Sequence, residues 1–206
     1  MEFYKLMIIR KDNMFSHKNN PIRAFYTEEY IRVYQAFSDT IADSAIKNGT
    51  FVSPPFSMTR MTWIKPSFLW MMYRSGWAMK DSGQTRILAI DITHEGFREI
   101  VRQGIISHYD PEFFDSMDAW KEKVQNSDVV VQWDPERDIL LNKLEQRTIQ
   151  IGLRNKAVDN YVNQWIVNIS DMTHMAHEIY ELVRNNKLDL AQALLPKEEI
   201  YFKSSC

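Results

Sequence analysis

The stretch Arg86-Ile-Leu-Ala-Ile-Asp-Ile92, followed at once by Thr93-His-Glu-Gly-Phe-Arg-Glu-Ile-Val101, decides the fold class. Its first half is an apolar, β-rich run of strand length, and its second half opens on a threonine able to cap a helix. Working outward, Ile31-Arg-Val-Tyr-Gln-Ala-Phe37 alternates apolar and polar positions as a strand does. Ser38-Asp39 then caps a helix over 40–47 that ends at Asn48-Gly49. Val129-Val-Val-Gln-Trp-Asp134 reads as a strand stopped by Pro135, and Arg147-Thr-Ile-Gln-Ile-Gly-Leu153 as another. Pro111 starts a short helix reaching Val124, and helical patterns fill 154–165, 171–185 and 187–195. Strands and helices alternate without a regular βαβ rhythm, and no Gly-rich phosphate loop of the Rossmann or P-loop type is present. The expectation is an α+β domain in which strands 31–37, 86–92, 129–134 and 147–153 share one mixed sheet.

A chain of 206 residues with 45% hydrophobic side chains suits one core rather than two. Lys11 to Asn20 is polar and irregular, so residues 1–20 read as a flexible N-terminal extension, 21–196 as the single domain and 197–206 as a C-terminal tail. The first ten residues lack the apolar core of a signal peptide, and no stretch approaches the ~20 apolar residues of a membrane span. A soluble, cytoplasmic protein without membrane contact is expected. The one cysteine is Cys206, which leaves no intramolecular disulfide and no cysteine-based metal site. His174 and His177 stand three apart on a helix, but no zincin-type glutamate accompanies them, and no metal is expected.

The net charge of −2 hides an asymmetry. Residues 1–80 carry eleven Lys/Arg against six Asp/Glu, a net +5, and residues 81–206 carry fourteen against twenty-one, a net −7. A basic half in an acidic protein suits a dinucleotide or other phosphate-bearing small molecule better than a long nucleic-acid duplex.

That basic half contains Thr62-Trp-Ile-Lys-Pro-Ser-Phe-Leu-Trp-Met-Met-Tyr-Arg-Ser-Gly-Trp77, which holds three of the six tryptophans. Pro66 can open a helix and Gly76 can close it in a left-handed cap, giving a helix over 66–75. Aromatic and methionine stripes at helical spacing are usually core. Here Lys65, Ser67, Tyr73 and Arg74 add polar heads, as in a ligand pocket. The helix is therefore expected to border the largest pocket, with Lys65 or Arg74 at its mouth.

Val33-Tyr-Gln-Ala-Phe-Ser38, the capped helix with Ile46 and the Asn48-Gly49 turn resemble the opening of the ADP-ribosyltransferase fold. Gln35 falls where that pattern has histidine. Arg86 to Phe97 is similar to the fold's next core strand and short helix, and Val129-Val-Val-Gln-Trp-Asp-Pro-Glu136 resembles the late strand bearing its catalytic glutamate. Ser67 is the nearest candidate for its Ser-Thr-Ser element. Over Pro21 to Pro196 the strings Val33-Tyr-Gln-Ala36, Met61 to Trp77, Gln132 to Asp138 and Arg147 to Leu153 resemble the uncharacterised family designated domain of unknown function 4291.

The transferase resemblance implies a mixed, split β-sheet flanked by helices, with a helical C-terminal part, and NAD lying across the split. It implies that NAD serves to modify a protein or nucleic-acid acceptor. Glu136 would stabilise an oxocarbenium-like sugar, with Asp134 and Asp138 as alternatives, and Gln35 and Ser67 would complete the catalytic set. Tyr34, Trp63 and Tyr73 would contact the rings of NAD, and Lys65, Arg74 and Arg23 its pyrophosphate, with Arg60 and Arg32 as alternatives. Gln35 cannot titrate as histidine can, so a non-catalytic nucleotide-binding module of the same fold is one alternative. A single-stranded nucleic-acid-binding or processing protein, with Trp63, Trp70 or Tyr73 stacking on bases, is another. Convergence of Gln35, Tyr73 and Glu136 on one cleft is the sharpest expectation of the transferase reading.

Overall fold

A computed structural model describes residues 21–201. The expected N-terminal extension, residues 1–20, lies outside the described residues, as does Cys206. The chain is α+β, as its sequence pattern implies, but the four expected strands fall in two sheets rather than one. Strands β2 (Tyr30–Phe37), β4 (Arg86–Thr93) and β8 (Ile166–Asp171) form an antiparallel sheet in the order β2-β4-β8. Strands β3 (Thr62–Ile64), β5 (Ile105–Ile106), β6 (Val129–Arg137) and β7 (Lys143–Leu153) form a mixed one in the order β3-β7-β6-β5, with β5 and β6 parallel. The sheets touch at an isolated bridge where Tyr34 and Lys65 exchange backbone hydrogen bonds of 2.7 and 3.2 Å. The short strand β3 carries no alternation of its own; its pairing with β7 comes from tertiary contact.

Helix α1 (Asp39–Asn48) ends at Gly49 in the left-handed conformation, and α2 (Phe68–Ser75) ends the same way at Gly76, φ 56°. Pro66 precedes the cap of α2 instead of opening the helix; Ser67 is the cap, its hydroxyl accepting the Trp70 N–H. Helix α3 (His94–Gln103) leaves β4 through the expected threonine cap, with Thr93 Oγ1 accepting the Gly96 N–H at 3.1 Å. The expected helix from Pro111 is instead α4 (Met117–Asn126), capped by Ser116. Helix α5 (Lys156–Asn160) runs into a π turn, Tyr161–Trp165, whose Trp165 closes on Gly96 so tightly that a Cβ there would lie 2.4 Å from the indole.

The main core joins Ile31, Val33, Leu88 and Ile90 of one sheet to Val129, Val131, Ile149 and Ile151 of the other. A second core sets Phe68, Met71 and Met72 of α2 against Tyr34, Ala89 and the C-terminal helices α6 (Thr173–Arg184) and α7 (Leu188–Leu194). The aromatic helix is thus packing on most of its surface.

Beyond Pro196 the chain is part of the fold up to Tyr201, where a tail was expected. Strand β9 (Glu199–Ile200) pairs antiparallel with β1 (Arg23–Ala24). The Tyr201 hydroxyl lies 2.8 Å from His94 Nδ1, and its ring meets Tyr26 and Phe97 edge-on. Aromatic contact anchors a segment whose charges suggest solvent. Among the described residues no helix is long and apolar enough to cross a membrane.

Candidate functional site

Pro135 does not stop β6. The strand continues to Arg137, and the ladder skips Glu136, passing from the Pro135↔Arg147 pair to Arg137↔Lys143. A proline that cannot donate to the ladder is tolerated where pairing is already interrupted. Freed from register, Glu136 points its carboxyl at the start of α2, where Oε1 accepts from Ser67 Oγ and from the Arg137 N–H, each at 2.8 Å. Thr148 on β7 also bonds this carboxyl. Glu136 is 8% exposed, and burial raises its pKa above the ordinary carboxylate value, only partly offset by these hydrogen bonds.

Glu136 and Ser67 line a cleft of about 540 Å³ together with Arg23, Leu69, Arg137 and Glu198. Gln192, Ala193, Leu195, Pro196 and Lys197 also line it. Glu198, between α7 and β9, accepts the Phe68 N–H at 2.6 Å, so two carboxyl groups flank the first turn of α2. Burial pushes the Glu198 carboxyl up to about 8, and the nearby Glu136 carboxyl adds to the shift. Arg137 is 7% exposed; its guanidinium lies 3.5 Å from the centre of the Tyr73 ring and donates to the Leu141 carbonyl at 3.4 Å. Its Nε has no hydrogen-bond partner among the described residues. Arg23 gives one N–H to the Glu198 carbonyl at 3.2 Å and lines the cleft.

Of the expected catalytic residues, Glu136 and Ser67 come together and Gln35 does not join them. Gln35 is 3% exposed and fully bonded, donating to Thr62 Oγ1 at 2.7 Å and to the Trp63 carbonyl at 3.2 Å. Its Oε1 accepts from the Tyr161 hydroxyl at 2.9 Å. It clamps β2, β3 and the π turn, and the expected convergence of Gln35, Tyr73 and Glu136 on one cleft is corrected accordingly. The alternatives to Glu136 are spent elsewhere: Asp134 accepts from Gln132 and Gln150, and Asp138 closes the β6–β7 hairpin through the N–H groups of Leu140 and Asn142.

Among the expected cofactor ligands Arg23 lines the cleft, and Tyr73, 43% exposed, reaches it through the Arg137 stacked on its ring. Tyr34 lies in the second core, edge-on to Phe68, its hydroxyl buried without a hydrogen-bond partner among the described residues. Trp63 lies across Gly152 of β7. Lys65 and Arg74 do not stand at the mouth. Lys65 turns inward to the Trp63 carbonyl at 3.1 Å and the Trp70 ring, and burial, with the Arg74 charge, lowers its pKa to about 7. Arg74 sits at the exposed end of α2 against Gln84. Arg32 is taken by Asp91 at 2.7 Å. Stacking on bases finds little support, because Trp70 is buried and one face of Tyr73 carries Arg137.

Sequence reasoning missed Arg137 and Glu198. Arg137 is hidden in an apparently solvated turn, Asp134-Pro-Glu-Arg137, and Glu198 lies in the charged run Lys197-Glu-Glu199, where nothing in the spacing marks burial. Among the described residues no cluster of His, Cys, Asp or Glu could hold a metal ion. No curated protein matches the chain. The sequence pattern of one family, described as domain of unknown function DUF4291, matches residues 21–201, and the chain belongs to that family.

Proposed function

We propose that the protein is an ADP-ribosyltransferase-like enzyme that binds NAD in the cleft between α2, β6 and the Pro196–Glu198 segment and modifies a protein or nucleic-acid acceptor. The observation that carries this reading is Glu136, a buried carboxyl on a late strand, held by Ser67 Oγ and the Arg137 N–H at the cleft wall. The residues present fit the ligand. Arg137 has a buried Nε without a partner among the described residues, and its guanidinium and that of Arg23 suit a pyrophosphate, whose oxygens accept paired N–H donors.

NAD supplies an N-glycosidic bond whose cleavage leaves positive charge on the ribose. Ionised Glu136 places negative charge in a water-poor site, where a fixed carboxylate stabilises such charge more than it would in water. Ser67 and the Arg137 N–H prevent that carboxylate from turning away, so its orientation costs nothing during the reaction. Tyr73 fixes the Arg137 guanidinium by stacking.

One observation favours a second reading, a non-catalytic nucleotide-binding module. Gln35, at the position where the transferase pattern has histidine, is sealed in the core and has no access to a ligand. Calorimetric titration with NAD, alongside mass-spectrometric detection of nicotinamide, separates the two. Binding with release supports the enzyme, binding without release supports the module, and no binding ends both.

A further inference from the structure

The cleft contains a carboxyl to which the reading above gives no chemical role. Glu198 arrives from the far end of the chain, on the segment that joins α7 to β9, and is held in place by the Phe68 N–H at 2.6 Å. Glu136 thus bonds the Ser67 hydroxyl and Glu198 the next residue's N–H, and both carboxyl groups line one cleft. One N–H accounts for only one Glu198 oxygen, and that bond serves as a helix cap. A cap needs no carboxyl, since an amide oxygen accepts equally well.

We infer that Glu198 is a second catalytic group of this cleft, the general base that takes the proton of a hydroxyl-bearing acceptor as its oxygen attacks the ribose carbon. The inference rests on the transferase reading. In the step it describes, the acceptor oxygen forms a bond to the ribose carbon, and the bond from that carbon to nicotinamide breaks. The electron pair of the broken bond leaves with nicotinamide, which becomes neutral, and the acceptor proton passes to the Glu198 carboxylate. A hydroxyl is the class of acceptor that needs this help. It carries its proton until attacked, whereas a carboxylate acceptor has none to lose.

The surroundings of Glu198 suit the role. Glu136 from β6 and Tyr34 from β2 face it, Arg23 from β1 opposes them, and Arg137 and Lys197 line the same cleft. Burial and the Glu136 charge hold its proton up to about 8, so the ionised, strongly basic form that can accept a proton grows in as pH rises toward that value. Burial raises both carboxyl groups, but the bonds Glu136 accepts from the Arg137 N–H, Ser67 and Thr148 favour its charged form, which suits it to fixed charge and leaves Glu198 as the proton acceptor.

The test uses the full chain with NAD and two small probes. Methanol must lose a proton on attack, and azide is already an anion. Glu198→Gln keeps the cap oxygen and removes the base. The expected result is a loss of methyl ADP-riboside of about a hundredfold with ADP-ribosyl azide held within about twofold, the usual share of a general base. Both products are compared at saturating NAD, with the NAD affinity of each protein measured by calorimetry. In the wild type, methanol product rises with pH toward a midpoint near 8 while azide product does not follow it, a comparison that holds even if the variant fails to fold. Carbon-13 NMR of glutamate-labelled protein should show one carboxyl titrating near 8 that Glu198→Gln removes. Equal loss of both products, no loss of either, or parallel pH profiles would overturn the role of Glu198 and leave the transferase reading standing. A wild type that binds NAD and releases no nicotinamide with either probe, or that binds none, would overturn both.

Discussion

The Ser67 hydroxyl lies 2.8 Å from Glu136 Oε1 and accepts the Trp70 N–H at 3.1 Å, so one small side chain caps the aromatic helix and holds the buried carboxyl of the cleft. Fold and site meet at this residue. A cap fixes where α2 begins, and the start of α2 fixes where Glu136 points.

Ser67→Ala removes both functions. Loss of the cap costs about 1 kcal/mol, and leaving Glu136 one donor short adds about 1 kcal/mol or more. Urea denaturation should therefore show a lowered midpoint, and nicotinamide release from NAD should fall with it. Unchanged stability and unchanged release would mean that the Ser67–Glu136 contact carries neither role.

Gln35 gives the opposite forecast. Its amide satisfies Thr62, the Trp63 carbonyl and the Tyr161 hydroxyl inside the core, away from the cleft. Gln35→Ala should destabilise by about 1–3 kcal/mol, the cost of stranding buried polar partners, and leave NAD affinity at wild-type strength in the folded protein. A fall in affinity with stability preserved would return Gln35 to the binding site.

Two buried groups make stability depend on pH with opposite signs. The Glu198 carboxyl, raised from 4.5 to about 8, is protonated in the fold where the unfolded chain is ionised, so its contribution is present at acid pH and is lost as pH rises through 8. Lys65, lowered from 10.5 to about 7, is neutral in the fold where the unfolded chain is charged. Its contribution is present above 10.5 and is lost as pH falls through 7. Lys65→Met should remove the rise in stability between 7 and 10.5 and raise the melting temperature at neutral pH. Thermal melts across that range measure it; an identical pH profile for the variant would show that Lys65 stays charged and solvated.

Much of the fold was legible where local chemistry decides it. Thr93 caps α3 and Gly76 closes α2, because hydroxyl caps and left-handed glycines act within a few residues. Strand β3 was not, since its three residues pair with β7 only once the sheet exists. Pro135 misled for a physical reason: proline ends a regular ladder, but the ladder at that point skips Glu136. Ser67 and Glu136 could each be singled out through the transferase resemblance, but their contact across sixty-nine positions could not, since only the folded sheet brings the helix cap to the strand. Gln35 was misassigned, because strand alternation cannot tell a ligand-facing amide from one that bonds a neighbouring sheet. Glu198 was missed because its burial depends on the β1–β9 pairing and on Tyr201 packing against His94.

The most direct measurement is turnover and binding by Glu136→Gln side by side. Glutamine keeps the shape and the contact with Ser67 but carries no charge, so calorimetry should give an NAD affinity close to wild type. Nicotinamide release should fall by about 10²–10³, the usual cost of one preorganised electrostatic group. Release at the wild-type rate with Glu136 neutralised would contradict the assignment of this carboxyl to the reaction.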